Sequence, residues 1–460
     1  LVERVINKLL DKNSSVSADR LLIVTFTNAA AAEMRERIEK RLYEEIQKNP
    51  DDVSLLRQKH LISSADICTI DSFCIKLVRE NFEKCGGCSM AHLKYNAQLR
   101  IKKEFAESAI RRIGGFSDFE VSEIIGMENP IRYRNKMVFP FGKNKDGICY
   151  GFYRERSHDI IPLSDCLLGD EVNIKILEAV KEHMEKYNVP PYDEKSHSGV
   201  VRRVFVRKSY HTGEIMVVLS QNGDSLPHAD ELAERLCDID KNVASVILNV
   251  NTKRNNLVLG DKNILIWGKP VITDYLCGLK YEISPHSFFQ VNPEQTEKLY
   301  KKALELADIT KDDVVMDIYS GIGTISLCAA KSAKKAIGIE IVPPAVNNAK
   351  KNAEWNGIKN AEFYVGEAES LVPKFIANGL KPNVVILDPP RKGSDEKTLG
   401  AIANADPERI VYVSCNPATL ARDMKFLADL EYIPVKAAAV DMFPHTSHVE
   451  TIVLLQNRNM

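Results

Sequence analysis

The sequence predicts an α/β chain in three parts: a C-terminal doubly wound sheet, a central α+β domain and a short N-terminal fragment. Three observations carry this. From about Ser284 to Met460, short apolar runs alternate with helical patterns, as in a mostly parallel sheet with helices on both faces. Between Cys85 and about Ile283, β-like runs are separated by turn residues. Before Cys85 there is a lone continuous apolar run. A length of 460 residues fits about three domains.

The N-terminal block, residues 1–84, reads helix, strand, helix, helix. Leu1, Val2, Val5, Ile6, Leu9 and Leu10 recur at helical spacing. Residues 21–26 form a run typical of a buried parallel strand, with no neighbouring strand legible. Asn28 is placed to cap a helix over 29–47, and Asn49-Pro50-Asp51-Asp52 ends it. The central block, 85–283, opens with Cys85-Gly86-Gly87-Cys88. A helix over 98–113, placed to pack on the C-terminal domain, stops at Gly114-Gly115; strands are expected at 136–140, 151–153, 200–206, 215–220, 244–249 and 263–267. The C-terminal block, 284–460, carries expected strands at 314–318, 335–339, 361–365, 384–387, 410–413 and 449–455.

Composition narrows the function. No stretch approaches the ~18 apolar residues of a membrane span, and nothing reads as a signal peptide, so a cytoplasmic protein is expected. In such a chain the ten cysteines point to metal or catalytic roles ahead of disulfides. A net charge of −1 requires any nucleic-acid binding to come from local patches.

Asp317-Ile318-Tyr319-Ser320-Gly321-Ile322-Gly323-Thr324 falls at a strand-to-helix turn, where glycine lets a ligand approach the backbone. It lacks the third glycine of a dinucleotide fingerprint. Glu340 ends the next strand, about where an acidic residue bonds ribose hydroxyls. Together they favour S-adenosylmethionine over NAD. Asp388-Pro389-Pro390-Arg391 and Ser414-Cys415-Asn416-Pro417 follow later strands, so Asp317, Glu340, Asp388 and Cys415 are expected at one crevice. Cys415, with Glu450 in His448-Val449-Glu450, suits one chemistry. A thiolate adds to carbon-6 of uracil, carbon-5 then attacks a methyl sulfonium, and a base removes the carbon-5 proton. Cys415 is the nucleophile and Glu450 the base, with His448 or His445 as rival bases. The thiol is expected in an electropositive, accessible setting.

Residues 85–460 resemble the iron–sulfur 23S ribosomal RNA uracil-5-methyltransferases of the TrmA/RumA family. The motifs are CGGC at 85–88, SFFQVN at 287–292, DIYSGIGT at 317–324, DPPRKG at 388–393, SCNP at 414–417 and HVE at 448–450. The resemblance implies a Rossmann-like S-adenosylmethionine-dependent methyltransferase domain, cofactor contacts at Gln290, Tyr319, Glu340 and Asp388, Cys415 as nucleophile and Glu450 as proton acceptor. It also implies a 4Fe–4S cluster on Cys85, Cys88 and Cys166. The family's remaining cysteine is missing near Arg79; the fourth ligand stays open, with Cys74 the nearest candidate. The expected partner is 23S rRNA, bound by a monomer. Basic residues near aromatics (Arg132, Arg134 and Lys136 by Tyr133; Arg154 and Arg156 by Tyr153; Arg202, Arg203, Arg207 and Lys208 by Phe205 and Tyr210) are candidates to track phosphates and stack bases. A flipped target base is expected.

Residues 1–84 resemble instead an AddA-type, UvrD-like helicase–nuclease subunit, through LLIVTFTNAAAAEMRERI (21–38) and ADICTIDSFCIKLVRENF (65–82). The resemblance implies a truncated RecA-like fragment, with Thr25, Thr27 and Asn28 at single-stranded DNA. Asp71 stands where that family has histidine. The GxxxxGK[ST] loop is absent from this sequence, so no ATP hydrolysis is expected. The chain, starting at Leu1, reads as a fusion or a gene-assembly artefact. Two rival functions remain: an amino-directed nucleic-acid methyltransferase, or a DNA-binding remnant of the helicase–nuclease.

Overall fold

The computed structural model describes residues 2–11, 16–25, 27–50, 52–70, 72–73, 86–154 and 157–459. Phe26, Asp71, Cys74, Cys85 and Arg156 lie outside the described residues. The chain divides into two compact units, Leu1–Gly86 and Gly87–Met460.

In the first unit the strand Leu22–Thr25 has a neighbour: it pairs in parallel with Asp66–Thr69. The lone-strand reading is therefore corrected. The second strand reads Asp-Ile-Cys-Thr, too short and polar to stand out. The helix Asn28–Lys48 is capped by Thr27, not Asn28; the Thr27 hydroxyl accepts from the Ala30 amide at 3.1 Å. Ile6, Leu9, Ile38, Leu42, Ile62 and Ile67 join Ile23 in a small core. Leu22 and Val24 leave the other face of the two-stranded sheet uncovered.

The second unit holds two large sheets. One has seven strands in the order Lys262–Gly268, Val243–Val250, Ile215–Gln221, Val201–Lys208, Lys136–Asn144, Gly147–Tyr153, Ile160–Pro162. Helices Val172–Lys186 and Ala229–Ile239 pack on it around Ile176, Val180, Val217 and Leu236.

The other sheet has eight strands: Ala361–Val365, Lys335–Glu340, Val314–Ile318, Val384–Leu387, Arg409–Ser414, Glu450–Asn457, Tyr432–Val440, Ile124–Ile125. The first five run parallel, and Glu450–Asn457 enters antiparallel between two neighbours. Val314–Ile318 lies inside the sheet, with the next strand in sequence on one side and a later one on the other. That reversal of winding makes a crevice at the carboxyl ends. Apolar clusters cover both faces. Residues 95–125, counted with the central block by sequence, join this sheet. The helix Tyr95–Arg112 buries Ala106 and Ile110 in its core, and Ile124–Ile125 forms its edge.

Candidate active site

Four adjacent parallel strands end in the expected residues: Lys335–Glu340 in Glu340, Val314–Ile318 just before Tyr319, Val384–Leu387 just before Asp388 and Arg409–Ser414 just before Cys415. Glu450 begins the antiparallel strand whose Thr451 pairs with Ser414, so it lies at the same end. Cys415 and Glu450 are thus brought together by one strand pair.

The glycine turn is built tightly. Tyr319 takes φ 68° and its hydroxyl meets the Ser394 hydroxyl at 2.9 Å. Glu340 spans the turn: Oε2 accepts from the Gly321 amide at 3.1 Å and Oε1 from the Val342 amide at 2.9 Å. A Cβ on Gly321 would meet nothing within 4 Å, which leaves the space a ligand needs. Gly323, at φ +82°, would place a Cβ 2.8 Å from the Phe363 ring. Below the turn, Asp317 Oδ2 accepts from Ser326 at 2.5 Å, while Asp317 Oδ1 and Ser320 Oγ are buried without a partner. Gln290 sits on a loop between the domains' sheets, held by Asn135, which donates to the Gln290 carbonyl at 3.0 Å and the Val291 carbonyl at 2.9 Å.

The crevice is acidic. Burial, with Asp388 and Glu340 adding to it and the Ser326 hydroxyl opposing, pushes Asp317 up to about 7. Burial likewise raises Asp388 to about 7. Glu450 is 4 % exposed, and burial, with Asp388 nearby, pushes it up to about 8. Burial, then Glu450 and Asp388, raise the Cys415 thiol to about 11, with Arg391 opposing them. The electropositive setting expected for the thiol is therefore corrected: burial and the two neighbouring carboxylates disfavour the thiolate.

The rival bases have other neighbours. His445 meets Gln98 at 3.2 Å through Nδ1 and also bonds the Pro130 backbone, and burial lowers its pKa. His448 lies 3.4 Å from the Arg391 guanidinium, and its pKa is lowered by burial and then by Arg391. Sequence reading missed the support beneath this loop. Lys102 Nζ lies 2.5 Å from Asp441 Oδ1 and donates to the Phe443 carbonyl at 3.0 Å, with both charged side chains buried. Tyr95 donates to Asp441 Oδ2 at 3.0 Å. Lys102 and Asp441 are 339 positions apart, so no local pattern could pair them.

Of the cysteine candidates, Cys88 and Cys166 pack against the same small cluster of Met127, Tyr133 and Leu168. Among the described residues no three ligating side chains gather, and Cys85 lies outside them.

The basic clusters are mostly corrected. Arg132 forms a fork on Asp165, and Lys208 pairs with Asp170. Arg202, Arg203 and Arg207 are buried and donate to backbone carbonyls. Tyr133 is buried and donates to the Pro444 carbonyl. These residues hold the fold. The strand Val201–Lys208 is buried on both faces, so alternation could not reveal which way its arginines point.

Residues 228–458 match the family model described as tRNA (uracil-5-)-methyltransferase, and residues 1–135 match that of the UvrD/REP helicase N-terminal domain. An RNA methyltransferase of Clostridium tetani, itself uncharacterized, is 50% identical over 81% of this chain and 81% of its own length. One from Halalkalibacterium halodurans is 46% identical over 82% of each. The tRNA (uracil-54, C5)-methyltransferase of Pyrococcus abyssi, solved with S-adenosyl-L-homocysteine, superposes with TM-score 0.68 at 31% identity, covering 81% of this chain and 85% of that one. The fold, the acidic crevice and these likenesses agree: the chain belongs to the tRNA (uracil-5-)-methyltransferase family of S-adenosylmethionine-dependent RNA methyltransferases.

Proposed function

We propose that this protein methylates carbon-5 of a uridine in 23S ribosomal RNA through a transient bond between Cys415 and carbon-6 of the ring. The observation that carries this reading is the meeting of Cys415 and Glu450 on paired strands beside Asp388. S-adenosylmethionine would supply an electrophilic methyl group. Gln290, Tyr319, Glu340 and Asp388 would hold it, and the open space at Gly321 with the orphaned Asp317 Oδ1 and Ser320 Oγ fits such a guest.

Carbon-5 of uracil is a weak nucleophile. The Cys415 thiolate adds to carbon-6, and the electrons of the 5,6 double bond pass into an enolate. Carbon-5 would then take the methyl group as the methyl–sulfur bond of the donor breaks and leaves a neutral thioether. Glu450 takes the carbon-5 proton, the double bond re-forms and the carbon–sulfur bond breaks to return the thiolate. Arg391 is the cation whose charge favours that thiolate. Both ring faces must be reached, so the base is flipped from its RNA.

The same reading includes a 4Fe–4S cluster on Cys85, Cys88 and Cys166. The shared packing of Cys88 and Cys166 supports it, and such a centre would cross-link their two segments. Iron and sulfide analysis after anaerobic purification tests it; absence of both metal and sulfide removes it. The reading takes the enzyme as a monomer and gives residues 1–84 no ATP hydrolysis.

The P. abyssi neighbour, named for tRNA uracil-54, favours a second substrate reading, tRNA. One experiment separates them. Transcripts of 23S rRNA and of tRNA carrying 5-fluorouridine are incubated with enzyme and S-adenosylmethionine, then digested for mass spectrometry. Fluorine blocks proton removal, so the adduct accumulates on Cys415 with the true substrate. Undiminished methylation by Cys415→Ala would overturn the covalent mechanism and favour the amino-directed rival.

A further inference from the structure

Among the described residues, two cations beside the Gln290 loop have side chains with no hydrogen-bond or ion-pair partner. Arg134 and Lys136 flank Asn135, whose own bonds run to the backbone of Gln290 and Val291. Lys136 pairs with Arg207 across adjacent antiparallel strands, so the two side chains share one face of the sheet, and Arg134 precedes Lys136 by two positions on that face. Arg207 is committed to the carbonyls of Ser284 and Ser287 at 3.1 Å each. Its Nε and that of Arg134 are buried without a partner. Among the described residues no carboxylate bonds Arg134, Lys136 or Arg207, although carboxylates pair with Arg132 and Lys208 close by.

Like charges placed directly opposite each other in a sheet destabilise it. Burial pushes Lys136 down to about 8, and Arg207 and Arg134 push the same way. A folded protein keeps such a group at a cost to stability, and an anion would relieve that cost. Both Arg134 and Lys136 retain part of their surface, so an anion can reach them. The committed cations, such as Arg202 and Arg203, each end on a carbonyl and offer no such vacancy.

We propose that Arg134 and Lys136, backed by Arg207, form a seat for one backbone phosphate of the substrate RNA, beside the Gln290 loop. This deepens the RNA-methyltransferase reading and rests on it. A phosphate held there would fix the strand that enters the crevice, while the neutral base goes in. Arg134 and Lys136 are positioning residues and do not touch the reacting atoms.

The test uses the full chain with Lys136→Met, which keeps the apolar stem, and Arg134→Gln. RNA affinity and KM are measured for the 23S and tRNA transcripts between roughly 50 and 200 mM salt. The affinity of S-adenosylmethionine is measured by calorimetry, and stability by thermal melting. Each variant is expected to weaken RNA binding ~5–10-fold, with the log–log salt slope smaller by ~0.7, as for one lost single-strand contact. The kcat at saturating RNA stays within about twofold, cofactor affinity is unchanged, and Lys136→Met melts no lower than wild type because a like-charge pair is gone. An unchanged salt slope in both variants overturns the seat, as does a lowered melting point with unchanged KM, which marks a structural role. Loss of S-adenosylmethionine affinity assigns the cations to the cofactor carboxylate and also overturns it. A wild-type enzyme that methylates neither transcript refutes the underlying reading instead.

Discussion

Glu450→Gln separates catalysis from stability in one variant. Glu450 is 4 % exposed, and its carboxyl is pushed from an ordinary 4.5 to about 8. At ~1.4 kcal/mol per pH unit, ionising it in place costs at most ~5 kcal/mol; relaxation and water entry lower the measurable part to ~2 kcal/mol. The sign follows from proton linkage. Between 4.5 and about 8 the folded state holds a proton the unfolded chain has lost, so stability falls as pH rises through that window. Glutamine is neutral and nearly isosteric, so it removes that loss. Thermal melts of both proteins at about pH 5 and pH 9 should show little difference at the lower pH and a higher melting point for Glu450→Gln at the upper. In the fluorine-free reaction the variant should methylate RNA once and remain bound through Cys415, visible as a complex that survives denaturing gels. Equal melting-point differences at both pH values would refute the buried-acid account. Multiple turnover would refute the assignment of the base and move it to His448.

Three further outcomes follow from the same geometry. Lys102→Met leaves Asp441 buried without its cation, with the Tyr95 hydroxyl as its remaining side-chain donor, so it should lose ~3–5 kcal/mol in denaturant melts, with Lys102→Met/Asp441→Asn recovering part of the loss. Gly323→Ala combines a left-handed backbone with a contact on Phe363; it should lose ~2–3 kcal/mol and weaken S-adenosylmethionine binding in calorimetry. Asp388→Asn removes a charge that raises the Cys415 thiol, so iodoacetamide should label Cys415 at lower pH than in wild type, read by peptide mass spectrometry; an unshifted profile would mean the two groups do not interact.

The C-terminal sheet was legible because strands buried on both faces are written as unbroken apolar runs, such as Val384–Leu387. Their ends named Glu340, Asp388 and Cys415 directly. The strand Tyr432–Val440 was missed, since Pro434 and three successive alanines, Ala437 to Ala439, carry no strand signal. The hairpin Ile272–Leu276 and Leu279–Ile283 was missed for want of a long apolar run. Side-chain destinations were less legible than strands. Tyr133 and Arg207 looked like RNA contacts in sequence, yet the Tyr133 hydroxyl and both terminal amino groups of Arg207 end on carbonyls of distant loops. Only the resemblance supplied Gln290 and Tyr319; neither has a residue type that points to a cofactor.

The acidity of the crevice explains its division of labour with the central sheet. Asp317, Glu340, Asp388 and Glu450 gather at one end of the eight-stranded sheet, and Arg391 is the cation felt by the thiol there. Such a field repels phosphates and admits a cationic donor and a neutral pyrimidine. With Asp317 and Asp388 near 7 and Glu450 near 8, a positive charge entering the crevice favours ionisation of all three. Ionisation of Glu450 is what its proposed role as base requires. On the proposed reading the backbone phosphates stay outside the crevice, and the central sheet carries Arg134 and Lys136 with no carboxylate bonded to them among the described residues. If the proposed seat holds, one region is anionic for chemistry and the adjoining one cationic for grip, and each would be weakened by the other's charge.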